Sequence, residues 1–367
     1  MRFDFVCETS GPHRLYRCTL VAEGLRALGH DAQVWSACFE APSHHLIGWE
    51  PLTGVRRTGE PADVVIGRFH KRPAADQVIL RAREAGQLIA IDIDDDVWGV
   101  PDWHPVWKVG DGDQTAHLLD TLALQMNMAA ADVVVASTPR LGEVVCEVLD
   151  RLEEPDVPVA FVRAPVEVTD LVAPLDHRPL RVGWLGTLAY RGRDLATITD
   201  VLADVLPRHQ AVLFHLGRDR TEPPLALALG LEAPYVIRER EWVDVTVLPA
   251  WLVELDCAVL PAEPHRFNLS RSANSGLALA AAGVPFITSP NDEYVALELE
   301  GVGVCAYSPE QWAELLDDLL TGLRDEPGEM RGSADYARGQ VAMHHGPTDA
   351  ATDWLEVVAR FELEAPA

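Results

Sequence analysis

Residues 265–294, HRFNLSRSANSGLALAAAGVPFITSPNDEY, gather groups that suit a phosphate. Ser270, Arg271 and Ser272 precede an Ala/Leu-rich run that stops at Gly283 before Pro285, which sets a helix N-terminus beside Asn268, Arg271 and Ser272. Backbone N–H groups without intrahelical partners, a hydroxyl and a guanidinium would there form an anion site for a diphosphate. The same residues admit a plainer account, in which Asn268 and Ser270 cap the helix and Arg271 is a solvated surface charge. A second segment, VGWLGTLAYRGRDLATITDVL (182–202), places Gly183 and Gly186 at a strand end, where backbone can pass close to a ligand. Arg191 and Arg193 follow in the turn before a helix expected to open at Asp194. A third, IAIDIDDDVW (89–98), ends an apolar strand in Asp92, Asp94, Asp95 and Asp96. Asp92 and Asp94 alternate and could face one side, whereas in the plainest account Asp94, Asp95 and Asp96 cap and solvate a loop. His13, His70 and His104 stand singly near strand ends, where a structural role is the commoner one.

The elements that would position these groups alternate throughout. RFDFVC, DAQVWSA, DVVIGRF, QLIAIDI and DVVVAST read as buried strands, and LRVGWLG, AVLFHLG, YVIRER, CAVLPA and VPFITS form a second series. Helical stretches such as TLVAEGLRALGH, DQVILRAREAG and DLATITDVLADVL separate them, the first two stopping at Gly29 and Gly86. The class is α/β, with two consecutive Rossmann-like doubly wound domains. The polar, proline-bearing TDLVAPLDHRP is the expected linker. The expected division is 1–173, 174–345 and a closing helix over 346–367, TDAATDWLEVVARFELE. Ligands of open parallel sheets bind beyond the carboxyl ends of the strands, so two such domains are expected to face a cleft that holds the site.

A chain of 367 residues suits two domains rather than one core, and 48% hydrophobic with 24% charged residues is the balance of a folded protein. A net charge of −27 argues against general affinity for nucleic acid or anionic membrane, which makes arginines clustered near turns more informative. The start, MRFDFVCETSG, has no secretory pattern, and no apolar run is long enough to span a bilayer; a cytoplasmic protein is expected. Six scattered cysteines without a CxxC pair fit reduced thiols rather than a disulfide framework or zinc site.

At residues 265–294 the sequence resembles the donor-binding segment of GT-B glycosyltransferases of the retaining, group 1 (family 4-like) kind. Phe267, Asn268, Ser272, Ala273, Asn274, Gly283, Pro285 and Tyr294 match in spacing, with Arg271 where the family often has Lys. Residues 182–202 resemble the family's first donor-domain strand and loop, and LPAWLVELDCAVLPAE resembles the run ahead of the FN segment. The resemblance covers nearly the whole chain and is similar to the form found in bacteriophages and actinobacteria. It implies a nucleotide-sugar donor domain over 174–345, an acceptor domain over 1–173, and a last helix that returns to the first domain. It further implies donor contacts from Gly186, Thr187, Asn268, Ser272, Ala273, Asn274, Glu293 and Tyr294. Arg191, Arg193 and Arg271 would stabilise the departing diphosphate, with no metal and no other cofactor, and with retention of configuration. TSGPHRLYRCTLVAEGLRALGHD resembles the family's first loop and helix, so Ser10, Gly11, His13, Tyr16 and Arg17, with Asp94, would border the acceptor. For Arg17 an ion pair with an acid on its own helix is the structural alternative.

The sequence departs from the pattern where many retaining members carry two glutamates eight residues apart. Ser270 and Ala278 stand there, and Glu263 or Glu293 would have to substitute. That departure leaves room for a nucleotide-sugar-binding protein without turnover, or an epimerase. Asp92 and Asp94 resemble the D-x-D motif of haloacid-dehalogenase-like phosphohydrolases, a rival activity that lacks a later Lys and acidic pair here. The acceptor is open among a glycan, a lipid-linked precursor, a protein, a small metabolite and a modified base of phage DNA.

Overall fold

The computed structural model describes residues 1–7, 11–40, 45–51, 62–68, 79–80, 82–108, 114–228 and 235–364. Two compact units form, one of Met1–Pro165, Ser270–Ser272 and His345–Ala367, the other of Val166–Leu269 and Ala273–His344. Residues 166–173, placed ahead of the domain boundary by the sequence, group with the second unit.

The first unit holds β1 (Arg2–Cys7), β2 (Asp31–Glu40), β3 (His45–Pro51), β4 (Val64–Arg68), β5 (Leu88–Ile93), β6 (Val133–Ala136) and β7 (Val159–Phe161), in the order β3-β2-β1-β4-β5-β6-β7. Every pair is parallel except β2 with β3. Strands of such a sheet are covered on both faces, which is why they read as unbroken apolar runs. Val65, Ile89, Ile91 and Val134 cluster with Leu141, Val144, Val145 and Val148 of the Pro139–Arg151 helix. Phe3, Phe5, Ile66, Ala90 and Val133 cluster instead with Val21, Ala22 and Leu25 and with Ala350, Ala351, Trp354, Val357 and Val358. The last helix, Pro347–Glu364, therefore completes the core of the first unit, as the sequence implied.

Gly24 makes that docking feasible, because a Cβ built on it would lie 2.0 Å from the Pro347 carbonyl oxygen. Two backbone segments must separate to admit a methyl group. Gly24→Ala should therefore destabilise the first unit by about 1 to 3 kcal/mol or more, despite alanine's better helix propensity, as a drop in unfolding midpoint would report.

The second unit holds β8 (Arg181–Leu185), β9 (Val212–Arg218), β10 (Val236–Glu241), β11 (Cys257–Leu260), β12 (Phe286–Thr288) and β13 (Val304–Cys305), all parallel, in the order β10-β9-β8-β11-β12-β13. This is the 3-2-1-4-5-6 order of doubly wound sheets, whose direction reverses between β8 and β11. Ligands of such sheets sit at that switch point. The expected linker is tied down within this unit. The Ala173 N–H donates to the Ala282 carbonyl at 2.8 Å, the His177 N–H to Asp256 at 3.1 Å, and Arg338 donates to the Thr169 carbonyl at 2.5 Å.

Two helix starts differ from the sequence reading. The helix after β8 opens at Leu188, with Thr187 at its N-cap, so Arg191, Arg193 and Asp194 lie on the helix and not before it. The Ala/Leu-rich helix spans Asn274–Ala281 with Ala273 at its N-cap, two residues later than Ser272, and neither Asn268 nor Ser270 caps it. Three strands go unread in the sequence: the antiparallel β3, and β7 and β13, which are three and two residues long.

Candidate functional site

At the switch point of the second sheet one carboxylate joins both loops. Asp194, buried on the helix that follows β8, accepts the Glu263 backbone N–H at 2.8 Å and the Asn268 side-chain amide at 2.8 Å through one oxygen. Its other oxygen takes the Arg191 guanidinium at 2.9 Å. Glu263 and Asn268 lie beyond the end of β11, so a single buried acid fixes the loop after β8 to the loop after β11. Such an acid requires its partners, because an unpaired buried carboxylate is strongly disfavoured. Asn268, expected to face donor phosphate, is instead buried, and its amide also donates to the Glu263 carbonyl at 3.0 Å. Arg191 is brought to the sheet edge with about a quarter of its side chain exposed, whereas Arg193 is exposed on the same helix.

Among the helices that start at the carboxyl ends of this sheet, two N-termini differ in occupancy. At the helix after β8, the Glu222 carboxylate accepts the Ala189 N–H at 2.7 Å and the Asp219 N–H at 3.2 Å. An internal anion already occupies that end. At Asn274–Ala281, Ala273 supplies no side-chain cap, and the Asn274 Oδ1 is buried without a hydrogen-bond partner. The second end is therefore the better suited to an external anion. Arg271 and Ser272 immediately precede it and are partly exposed, although Ser270–Ser272 group with the first unit. Glu293 and Tyr294 occupy the first turn of Asp292–Leu299, capped by the Asn291 side chain, which accepts the Tyr294 N–H at 2.8 Å. The Tyr294 ring meets Phe286 edge-on, 6.1 Å between centroids, which makes it largely a packing residue.

Gly186 closes β8 with φ 146, and its carbonyl accepts His215 Nε2 at 2.7 Å. His215 is fully buried, 4.7 Å from the Trp184 ring, with Nδ1 3.3 Å from Glu239. It holds the loop of Gly186 and Thr187 from beneath. Sequence reasoning passed over Asp194, His215 and Glu222 as site residues. For Asp194 the available signal is its i+3 spacing from Arg191 on a helix face.

In the first unit, Gly11 (φ 98) precedes the short helical turn Pro12–Arg14, and His13 reaches Asp94, one residue past β5, in a short Nδ1 to Oδ2 contact. His13 is 41% exposed and Asp94 10%. Ligand atoms of His13, Asp94 and Asp95 lie within 4.8 Å of one another, a spacing that a cation could bridge. Arg17 lies elsewhere than expected. It is buried, donates to both oxygens of Asp92 on β5 and to the Val162 carbonyl at 2.6 Å, and so ties β1's following helix to the sheet. Its acid is on β5 and not on its own helix. Burial pushes the neighbouring Tyr16 hydroxyl up to about 12, which keeps it neutral. Buried His104 accepts the Val106 N–H at 3.3 Å, a structural role. Ser10 and His70 lie outside the described residues.

The Arg17 pair also weighs against the phosphohydrolase, whose nucleophile would be Asp92, a residue 2% exposed and held by a guanidinium. Asp92→Asn should cost about 3 to 5 kcal/mol of stability in urea unfolding, because it leaves a buried cation half-compensated. Loss of phosphate release with stability unchanged would reverse that assignment.

No protein-family model matches the sequence, and no curated protein is significantly similar to it. Solved structures do match. HepE of Anabaena, in complex with UDP and glucose, aligns with a TM-score of 0.60 over 98% of this chain and 99% of its own at 12% identity. Sucrose-phosphate synthase of Thermosynechococcus elongatus aligns with a TM-score of 0.64 over the full length of both chains at 12% identity. The pneumococcal O-GlcNAc transferase GtfA, with UDP and GlcNAc, aligns with a TM-score of 0.51 over 81% of this chain and 56% of its own, also at 12% identity. The chain has the fold of GT-B glycosyltransferases. No helix among the described residues is long and apolar enough to cross a membrane.

Proposed function

We propose that the chain is a glycosyltransferase that moves a hexosyl or related sugar from a nucleoside-diphosphate donor on the second unit to an acceptor hydroxyl on the first. One observation carries this reading: the Asp194 network presents Arg191 at the switch point of a doubly wound sheet, in a fold shared with proteins solved with UDP. Arg191, Arg193 and Arg271, with the N-terminus at Asn274, stabilise the charge that grows on the leaving diphosphate. Gly186 and Thr187 line its path, the backbone at Ser272 and Ala273 faces it, and Glu293 stands in for the absent glutamate pair. Gly11, His13 and Asp94 border the acceptor. No metal takes part, because arginines and helix amides supply the positive charge. Six scattered cysteines without a CxxC pair suit a cytoplasmic enzyme.

Transfer with retention follows from the family resemblance. The bond from the anomeric carbon to the diphosphate breaks, the acceptor oxygen bonds on the same face, and its proton passes to the leaving phosphate. A second reading, inversion, draws on the His13–Asp94 pair. A carboxylate at Nδ1 fixes the tautomer with its lone pair on Nε2, which would receive the acceptor proton. The product anomer, read by NMR, separates the two.

UDP, GDP and ADP, with their sugars, should be screened by thermal shift and by product mass in EDTA. At least one nucleotide should stabilise the chain, and transfer should persist in EDTA. Binding without any product would leave a sugar-nucleotide receptor, and product isomeric with the donor sugar an epimerase. Arg271→Ala and, separately, Arg191→Ala should weaken nucleotide binding about 10- to 100-fold, the worth of one charge-assisted contact. Parental affinity would remove that arginine from the site.

A further inference from the structure

We propose that His215 is a positioning residue: by holding the Gly186 carbonyl it keeps the Thr187 N–H turned toward the diphosphate, an inference that rests on the second unit being the donor unit. His215 stands in an otherwise apolar run of β9, in register with Trp184 of β8. A fully buried imidazole in such a strand needs a partner for each nitrogen. Nε2 lies 2.7 Å from the Gly186 carbonyl, and Nδ1 3.3 Å from Glu239. A carbonyl oxygen can only accept, so Nε2 is the donor. Glu239 is anchored in turn, accepting the Leu225 N–H at 2.9 Å. The ring therefore cannot turn over without giving up an oxygen at both ends.

The peptide that follows is oriented by this bond. Across a trans peptide the C=O of one residue and the N–H of the next point in opposite directions. The Gly186 carbonyl faces β9, since it meets His215 and would lie 3.3 Å from a Cβ built on Gly217. The Thr187 N–H consequently points away from β9. β8 lies between β9 and β11, so that direction is the side of the switch point. Thr187, the N-cap of the Leu188–Ala196 helix, is partly exposed, and its N–H has no hydrogen-bond partner among the described residues.

Gly186 is what makes a lock necessary. Its φ is 146, and a Cβ there would lie 2.8 Å from Arg191 Cγ, so the Arg191 stem packs directly on the loop. Glycine permits that approach but leaves its backbone the freest of any residue. Unheld, the Gly186–Thr187 peptide can rotate, and the N–H must be ordered again when the anion arrives. His215 removes that cost from beneath without touching the ligand.

Inorganic pyrophosphate, UDP and GDP are the probes, on the full chain. In the parent, labelled with nitrogen-15 threonine and with the Thr187 signal assigned by its loss in Thr187→Ser, saturating pyrophosphate should move the Thr187 amide proton downfield. His215→Leu, which fills the volume but donates nothing, should weaken pyrophosphate by about 10-fold in calorimetry, the worth of one hydrogen bond to a charged group. His215→Gln, whose amide nitrogen reaches about as far as Nε2, should return affinity to within about threefold of the parent. Both variants are read at a temperature where they remain folded. A histidine that only packs gives another pattern, with Gln and Leu losing alike or both at parental affinity, and either result would overturn the proposal. A Thr187 amide unmoved by bound pyrophosphate overturns it too, needs no folded variant, and leaves the donor unit standing. A parent chain that binds none of the three probes would overturn the donor reading and His215's role together.

Discussion

Asp194→Ala should lower nucleotide affinity by more than about 100-fold, the largest loss expected from any single substitution in the second unit. A factor of 100 is about 2.7 kcal/mol. Hydrogen bonds to an ionised group are worth about 1.5 to 3 kcal/mol each, and Asp194 accepts three, from Arg191, Asn268 and the Glu263 backbone. Their loss acts in two ways. The loop after β11 is released from the loop after β8, so the site is no longer assembled before the ligand arrives. Arg191 loses the carboxylate that orients it, and its side-chain entropy must then be lost on binding. Asp194→Asn, which keeps the shape but replaces one acceptor with a donor, should fall between parent and Ala. Because Asp194 acts through Arg191, adding Arg191→Ala to Asp194→Ala should cost much less than Arg191→Ala does alone. Full additivity would show that the two residues serve separate ends, and parental affinity in Asp194→Ala would dismiss the network as a donor site. Calorimetry at a temperature where the variant remains folded supplies both numbers.

Asp194 also marks how far the sequence could be read. Ten of the thirteen strands among the described residues are legible, most of them because they carry a run such as VVIG or AVLF that suits a buried parallel strand. The unread β7 and β13 are too short to show any period, and β3 pairs antiparallel at an edge. In the site, the residue types were legible but their partners were not. Asn268 and Arg191 were both read as phosphate ligands from their positions near turns. The acid that holds both lies 74 residues before Asn268, and only the closure of the sheet brings them together. The same holds for Arg17, whose partner Asp92 is 75 residues away and could not be told from an acid on its own helix. Local chemistry, such as the glycine at the end of a strand or the proline after a helix, is written in neighbouring residues. Contacts that span a sheet are written only in the topology.

A chain ended at Gly346 should lose the folded first unit while the second still binds nucleotide. The missing helix, Pro347–Glu364, contributes Ala350, Ala351, Trp354, Val357 and Val358 to the core around Phe3 and Phe5, each at most 4% exposed. Trp354 is fully buried and meets Phe5 edge-on at 6.2 Å. Full burial of one large apolar side chain is worth about 1.5 to 3 kcal/mol, so removing a tryptophan, two valines and two alanines costs several kcal/mol. Arg163 would also lose its 2.7 Å ion pair with Asp353. The total is comparable with the whole stability of a typical domain, about 5 to 15 kcal/mol. Two units need not unfold together, so calorimetric scanning should show the first transition lowered or absent and the second retained. Nucleotide affinity should fall by at most about 10-fold, the share of Arg271, which precedes the Asn274–Ala281 helix but groups with the first unit. Transfer to an acceptor should be lost entirely, because holding donor and acceptor in one geometry lowers the barrier by up to about 7 to 11 kcal/mol. An unchanged first transition would show that the helix adds nothing to that core. Loss of nucleotide binding with an intact second transition would place the donor's main contacts on the first unit, against the assignment made for Asp194.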